Sequence, residues 1–242
     1  MKKFVIGLVF VKAVFLSALV FSSCQTAELS KLETAATVSP TATPTNSSES
    51  IDRPTSEPYT GDLSIFEDEN RAKNLSIDRV MDILKIADGK SVADIGAGSG
   101  WFTTRAAKRV GEKGKVYAVE INREYINYIN DRAKRENYRN IQTVLGAEDN
   151  PNLPKNSVDA VLILKTYHEI AEPIKVLKNL RASLKRNALV GIIDKNGNGE
   201  DHGIAKETIV AEAKRAGFQL DNEYDFVKPD GMDYFLVFRA GK

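Results

Sequence analysis

Residues 92–102, VADIGAGSGWF, constrain the fold of this chain more than any other stretch of its sequence. An apolar segment runs into one acid, Asp94, and then into three alternate glycines, Gly96, Gly98 and Gly100. Since glycine has no Cβ, the main chain can approach a ligand closely at these positions. The pattern is typical of a strand, a glycine-rich turn and a helix at the carboxyl edge of a parallel sheet, where open α/β folds bind their ligands.

Apolar strand segments alternate with amphipathic helical segments from about residue 62 to the end of the chain. Strands rich in Val, Ile and Leu that are separated by helices indicate a parallel sheet covered on both faces. The last two strand segments, FQLDNEYDFV and MDYFLVFRA, are joined only by a short loop with an Asp-Gly turn. This predicts an antiparallel hairpin at one sheet edge. We therefore expect an α/β fold, a Rossmann-like, doubly wound, mostly parallel seven-stranded sheet with an antiparallel C-terminal hairpin.

The spacing of the glycines distinguishes between kinds of nucleotide ligand. The dinucleotide fingerprint G-x-G-x-x-G would need its third glycine at position 101, which Trp101 occupies. The loop also lacks the G-x-x-x-x-G-K-[ST] pattern, which excludes a P-loop at this site. Asp94, two residues before the first glycine, would repel a pyrophosphate but suits a cationic ligand. An NAD-dependent oxidoreductase is therefore disfavoured.

The stretch VADIGAGSGWFT resembles motif I of the class I S-adenosylmethionine-dependent methyltransferases, hydrophobic-Asp-x-Gly-x-Gly-x-Gly. The resemblance extends over about residues 66–240, and it implies S-adenosylmethionine as the cofactor. By this resemblance, Glu120 accepts hydrogen bonds from the ribose hydroxyls, and either Glu148 or Asp149 lies near the adenine amine. The full set of implied cofactor contacts is Asp94, Gly96, Gly98, Gly100, Glu120, Ile121, Glu148, Asp149 and Lys165.

The exit of the fourth predicted strand supplies the candidate catalytic residues Tyr167, His168 and Glu169, next to Lys165. Methyl transfer from a sulfonium is an in-line displacement in which the protein mainly supplies proximity and orientation. A base near the methyl group would help if the acceptor is a hydroxyl or a protonated amine. His168 could serve as that base near neutral pH, or it could bond the backbone and shape the loop. We expect His202 in a polar loop outside the cleft.

The chain contains two histidines and one cysteine, which argues against a Cys/His zinc cluster, and no metal site is predicted. Its 34 basic and 33 acidic residues nearly balance, so bulk charge does not favour a nucleic-acid partner. We therefore expect a small-molecule substrate. The sequence contains no signal that indicates an oligomeric state.

Residues 1–23 have the features of a bacterial export signal. Lys12 interrupts their apolar run, and the stretch 13–21 that remains is too short to span a membrane. The sequence FSSC that ends at Cys24 resembles the lipobox of bacterial lipoproteins, which implies lipidation of Cys24. An ordinary signal peptide with an incidental free cysteine, or an uncleaved anchor, is the alternative.

The chain therefore divides into a signal peptide at residues 1–23, a disordered Ser/Thr/Pro-rich tether at 24–60 and a methyltransferase domain at 61–242. We expect a membrane-anchored lipoprotein on the periplasmic side of a bacterial cell envelope. The alternative is the cytoplasmic face, with an uncleaved N-terminal anchor. Because S-adenosylmethionine is made in the cytoplasm, a non-catalytic envelope module that binds S-adenosylmethionine or S-adenosylhomocysteine is the alternative function.

Overall fold

The computed structural model describes residue 51 and residues 53–241, so the predicted signal, most of the predicted tether and Cys24 lie outside the described residues. The strands in this part of the chain are β1 Ser91–Ile95, β2 Lys115–Glu120, β3 Ile141–Leu145, β4 Val158–Leu164, β5 Leu184–Lys195, β6 Phe218–Tyr224 and β7 Asp233–Ala240. Its α-helices are α1 Arg71–Asn74, α2 Ile77–Ile83, α3 Trp101–Val110, α4 Arg123–Arg135, α5 Pro173–Ser183 and α6 Lys206–Arg215. Short 3-10 helices occur at Leu63–Glu67 and Tyr167–Glu169.

The strands form one seven-stranded sheet in the order β3-β2-β1-β4-β5-β7-β6. Strands β1 to β5 pair in parallel, whereas β7 is antiparallel to both β5 and β6. The strand order reverses between β1 and β4, at the centre of the sheet. The predicted α/β, Rossmann-like, doubly wound sheet with its antiparallel C-terminal hairpin is confirmed.

Two apolar layers cover the sheet, one on each face. Helices α2 and α3 pack on one face around Val92 of β1, and α5 and α6 pack on the other around Ala93. Successive side chains of a strand point to opposite faces, so a strand covered on both faces needs apolar residues at nearly every position. Val92 and Ala93 are each 0% exposed, which accounts for the unbroken apolar runs in the sequence.

Helix α2 begins at Ile77, directly after Ser76, and ends at Ile83. Ser76 precedes it but has a φ of 46° and makes no side-chain capping bond. Helix α1 ends two residues earlier, at Asn74, so Ser76 turns the chain between two helices instead of capping the second.

Residues 53–60, which the sequence assigns to the tether, lie against the domain. Arg53 Nε forms an ion pair of 2.8 Å with Oε1 of Glu212 on α6. Ser56 is buried, and the backbone carbonyl of Tyr59 accepts a hydrogen bond of 3.0 Å from the hydroxyl of Tyr125. Hydrogen bonds and an ion pair hold this segment, and its composition gives no sign of them. None of the helices in the described part of the chain is long and apolar enough to cross a membrane.

Candidate functional site

A cavity of about 840 Å³ lies at the carboxyl edge of the sheet, where β1, β2 and β4 end. The element after β1 packs on one face of the sheet and the element after β4 on the other, so a crevice opens between them. Its walls come from the glycine turn after β1, the loops after β2, β3 and β4, and residues 55–60. Segments far apart in the sequence therefore meet around one space.

The glycine turn forms one wall of this cavity through Gly96 and Gly98. Gly96 has a φ of 71°, and a Cβ added there would lie 2.3 Å from Thr166 Cγ2. Gly100, also predicted as a cofactor contact, lies between Ser99 and Trp101, which line the cavity, and does not line it itself. It is instead the N-cap of α3 with a φ of 75°, and its Cα faces Ile129 on α4. Its function is therefore to start the helix.

Asp94 and Glu120, the acids at the ends of β1 and β2, both line the cavity. Asp94 is 1% exposed, and its Oδ2 accepts a hydrogen bond of 2.6 Å from the Thr103 hydroxyl. Glu120 accepts backbone N–H bonds from Gly98 at 2.6 Å and from Ile121 at 3.1 Å. These bonds hold both carboxylates in fixed positions at the cavity wall.

The pKa values of both acids are raised by burial, which disfavours the charged form. The pKa of Asp94 rises to about 7, while the hydrogen bond from Thr103 opposes the rise and the charge of Glu120 adds to it. Burial also raises the pKa of Glu120, and its backbone N–H partners oppose the rise because they favour the carboxylate. A cation bound in this cavity would stabilise the charged form of both carboxyl groups and so lower their pKa values.

Arg71 of α1 is a cation in the same cavity wall, and no sequence pattern pointed to it. Its guanidinium lies 4.6 Å from the centre of the Trp101 ring and donates a 2.9 Å hydrogen bond to the carbonyl of Phe66. Burial lowers the pKa of Arg71, and the charge of Asp94 opposes that change. The cavity wall is therefore not purely acidic.

His168 lines the cavity from the 3-10 helix after β4 and is 3% exposed. Its Nδ1 lies 2.8 Å from Oδ1 of Asp194, the penultimate residue of β5, which is fully buried. The Asp194 carboxylate also accepts the backbone N–H bonds of His168 at 3.1 Å and of Lys195 at 2.8 Å. Because a carboxylate only accepts hydrogen bonds, Nδ1 carries a ring proton, which leaves Nε2 as the ring atom that faces other groups.

Glu169 lines the cavity beside His168, with Oε1 at 3.8 Å from His168 Nε2. Burial raises the pKa of Glu169 to about 7, and the charges of Glu120 and Asp194 add to the effect. The His168 ring and a hydrogen bond from the backbone of Tyr59 oppose it. A carboxyl group with this pKa can exchange a proton near neutral pH.

The structure corrects the placement of Tyr167, which does not line the cavity. Its ring is fully buried in the core on the α5–α6 side of the sheet, and its hydroxyl donates a 2.9 Å hydrogen bond to Glu212 Oε2. Consecutive residues of a tight 3-10 turn point in different directions, so only its neighbours His168 and Glu169 face the cavity. Tyr167 is therefore a core residue and cannot touch a methyl acceptor.

The sequence analysis expected His202 outside the cleft, but the structure places it at the cavity wall. The loop after β5 brings it to the cavity, and its ring centre lies 5.7 Å from that of His168 in an edge-to-face arrangement. Lys165 also lines the cavity, but its Nζ forms a 2.5 Å ion pair with Asp233 at the start of β7. The Lys165 ammonium is thereby neutralised by a buried carboxylate.

Comparison with known proteins points to one family. Residues 92–187 match the family model described as a methyltransferase domain. A solved structure from Aquifex aeolicus, titled as a SAM-dependent methyltransferase, is 25% identical with a TM-score of 0.66, covering 74% of this chain and 98% of that one. Residues 92–187 are thus similar to methyltransferase domains, and the solved relative is an S-adenosylmethionine-dependent one. S-adenosylmethionine is the cofactor that this relationship implies.

Two curated methyltransferases are similar to part of this chain. A protein-L-isoaspartate O-methyltransferase from Methanococcoides burtonii is 31% identical over 112 residues, which are 46% of this chain and 52% of that protein. An aklanonic acid methyltransferase from Streptomyces is 32% identical over 95 residues, which are 39% of this chain and 42% of that protein. The chain thus spans about half the length of the curated relatives it matches.

The remaining predicted cofactor contacts lie partly in the cavity and partly beside it. Ile121, half exposed after β2, and Glu148, in the loop after β3, line the cavity. Asp149 lies outside it, in a shallow cleft with Glu172 and Lys175. The sequence left the choice between Glu148 and Asp149 open; Glu148 lines the cavity, and Asp149 lines an adjoining cleft to which Glu148 also belongs. Ser56 and Tyr59 also line the cavity, and no motif pointed to either.

Proposed function

We propose that this protein is an S-adenosylmethionine-dependent methyltransferase that acts on a small-molecule acceptor. The observation that carries the proposal is that Asp94 and Glu120 line one cavity together with Gly96 and Gly98. Two fixed carboxylates beside an open glycine turn suit a ligand that carries an ammonium, a sulfonium and ribose hydroxyls. They do not suit the pyrophosphate of a dinucleotide.

The proposed cofactor contacts are the predicted residues that line the cavity: Asp94, Gly96, Gly98, Glu120, Ile121, Glu148 and Lys165. His168 and Glu169 line the part of the cavity after β4, and we assign them to the acceptor. One of them would accept the proton that a hydroxyl or ammonium acceptor releases when its oxygen or nitrogen attacks the methyl group.

Two acceptor classes are suggested by the relatives, whose names refer to isoaspartyl protein and to aklanonic acid. Both matches cover less than half of this chain, so neither acceptor can be assigned to this protein from the similarity alone. A small molecule is favoured because residues 55–60 form part of the cavity wall. The same 840 Å³ must also hold the cofactor, which leaves little room for a folded protein segment.

The proposal includes an anchor. Lipidation of Cys24 would hold the domain at a membrane of the bacterial cell envelope, on the periplasmic side, through the tether. An uncleaved N-terminal anchor would instead place it on the cytoplasmic face, where S-adenosylmethionine is made. Incorporation of a palmitate analogue into the wild-type chain, compared with Cys24→Ser, tests the lipid anchor, and equal incorporation would refute it.

Calorimetry of the full chain in detergent with S-adenosylmethionine, S-adenosylhomocysteine and NAD tests the cofactor assignment. We expect binding of the first two, and Glu120→Gln should weaken it at least tenfold because one ribose acceptor is lost. Asp159→Asn is the matched control, since this acid pairs with Lys185 at the opposite edge of the sheet. Binding of NAD alone, or equal affinity in Glu120→Gln, would contradict the assignment.

Transfer of a labelled methyl group tests activity separately. Extracts divided by size into small metabolites and proteins, together with an isoaspartyl peptide, would be incubated with the chain and labelled S-adenosylmethionine. We expect label in the small-metabolite fraction. Label in protein or peptide would replace the proposed acceptor class, and cofactor binding with no transfer in any fraction would favour the non-catalytic envelope module.

A further inference from the structure

The strongest feature that the proposed function leaves unused is a group of three potential metal ligands at the cavity. His168, Glu169 and His202 each offer one ligand atom, and these atoms all lie within 4.8 Å of one another. His168 and Glu169 belong to the loop after β4, whereas His202 belongs to the loop after β5. The three therefore converge from two separate loops on one point of the cavity wall.

We propose that His168, Glu169 and His202 bind a divalent first-row transition metal ion. Two imidazoles and one carboxylate form a ligand set suited to ions such as zinc, iron(II) and cobalt(II), whereas magnesium and calcium prefer oxygen ligands alone. Three protein ligands also leave coordination positions open, as in catalytic metal sites.

The hydrogen bonds around His168 orient its ring so that Nε2 can bind a metal ion. The bond between Nδ1 and Asp194 Oδ1 fixes the tautomer in which Nε2 has a free lone pair. Histidines that bind metals commonly donate their other ring N–H to a carboxylate, which orients the ring and increases its basicity. Asp194 is fully buried and is itself held by two backbone N–H groups, so the orientation is rigid.

The distances are close to those of a coordinated set. Ligand atoms bound tetrahedrally to one ion at zinc-like bond lengths lie about 3.4 Å apart. His168 Nε2 and Glu169 Oε1 lie 3.8 Å apart. Since no pair of ligand atoms exceeds 4.8 Å, closure needs at most about 1.4 Å of movement. His202 is exposed on its loop and can supply that movement.

A single residue ties the two ligand loops together. The backbone N–H of Ser56 donates to the carbonyl of His168 at 3.2 Å. The Ser56 hydroxyl accepts the backbone N–H of His202 at 3.1 Å and donates to the carbonyl of Gly199 at 2.8 Å. Ser56 is 5% exposed, so these bonds are shielded from water. The residues before the domain thus hold both histidines at one place.

An ion at this position would lie in the part of the cavity that we assign to the methyl acceptor, and this step rests on the proposed function. Its open coordination positions could hold an oxygen of the acceptor. With the ion bound, His168 and Glu169 would act as ligands instead of as the proton acceptor. A metal-bound hydroxyl would release its proton to water more readily, and its oxyanion would attack the methyl group as the bond from that methyl to the cofactor sulfur breaks, which leaves S-adenosylhomocysteine. The acceptor class implied is a small molecule with a hydroxyl group able to bind a metal ion.

Cobalt(II) titration of the full chain, prepared without a polyhistidine tag and followed by visible absorption, tests the metal site directly. We expect one cobalt ion per chain, displaced by zinc. His202→Ala and Glu169→Gln should each weaken binding at least tenfold, and the exposed His202 can be replaced without disturbing the core. Glu112→Gln, in the turn after α3, is the matched control and should bind as the wild type does.

Wild-type affinity in His202→Ala would overturn the proposal, as would a signal that disappears in Cys24→Ser but persists in His202→Ala. Calorimetry with S-adenosylmethionine on the same samples separates this result from the proposed function. Cofactor binding without cobalt binding refutes only the metal site. Cobalt binding without cofactor binding refutes only the methyltransferase assignment.

Discussion

The hydroxyl of Thr103 donates a 2.6 Å hydrogen bond to the Asp94 carboxylate and so joins the first turn of α3 to the end of β1. Thr104, the next residue, is also buried, but its hydroxyl reaches only the carbonyl of Trp101 at 3.3 Å. Two neighbouring threonines on one helix thus differ in whether they bond a buried carboxylate.

Replacing Thr103 by valine should therefore be more damaging than replacing Thr104. A hydrogen bond to a charged group contributes about 1.5–3 kcal/mol, and Thr103→Val should lower the free energy of unfolding by about that amount. Thr104→Val, the matched control, should lower it by less than about 1 kcal/mol, because a helix-internal hydroxyl bond is weaker. Urea unfolding measures both, and equal losses would contradict the role given to Thr103.

The raised pKa of Asp94 predicts how stability depends on pH in the absence of cofactor. Burial raises this pKa to about 7 in the folded state, above the value of about 3.9 expected in the unfolded chain. Between these values the folded state binds more protons, so the contribution of Asp94 to stability falls as pH rises, by at most about 1.4 kcal/mol per pH unit.

The side chain introduced by Asp94→Asn cannot titrate, so the variant should become more stable relative to the wild type as pH rises. The difference in unfolding free energy between variant and wild type should move in favour of the variant from pH 5 to pH 8, measured by urea unfolding at each pH. The charge of Glu120 raises the pKa of Asp94 and that of Arg71 lowers it, so the comparison measures these interactions together with the effect of burial. A difference that is constant over this range would mean that Asp94 is ionised throughout.

Gly96 and Gly89 allow the effect of space to be separated from that of backbone conformation. Both have a φ near 70–75°, but a Cβ at Gly96 would meet Thr166 at 2.3 Å, whereas nothing lies within 4 Å of a Cβ at Gly89. Gly89→Ala should lower the free energy of unfolding by about 1–2 kcal/mol, the strain of this conformation alone. Gly96→Ala should lower it further and weaken S-adenosylmethionine binding in calorimetry. Equal effects would show that Thr166 moves aside.

Tyr167→Phe tests whether this residue belongs to the core alone. The substitution removes the hydroxyl bonded to Glu212 and should lower the free energy of unfolding by about 1–2 kcal/mol. Affinity for S-adenosylmethionine should not change, because the ring does not line the cavity. Tyr128→Phe, at a half-exposed position on α4, should change neither quantity. A loss of cofactor affinity in Tyr167→Phe would mean that Tyr167 contributes to the binding site after all.

The sheet was predictable because its signal is local. A strand covered on both faces must be apolar throughout, and a short Asp-Gly loop between two strands leaves no room for a crossover helix. The convergence of Gly96, Asp94 and Glu120 on one cavity was predictable for the same reason, since each lies at or next to a strand end.

The parts of the site that were misplaced depend on directions and distances that the sequence does not encode locally. Tyr167 and His168 are neighbours in one tight turn, yet one points into the core and the other toward the cavity. His202 is 34 positions beyond His168 in a polar loop, and hydrogen bonds to Ser56 bring it back to the cavity. Polar contacts of this kind leave no periodic pattern in the sequence.

The position of Ser56 has a practical consequence for how this protein can be shortened. A fragment that starts at residue 61, the boundary suggested by composition, would keep every strand and α-helix of the domain. It would lose the residues that link the loops of His168 and His202, together with one side of the cavity. We expect such a fragment to fold but to bind ligands more weakly, so fragments should be chosen to begin before Arg53.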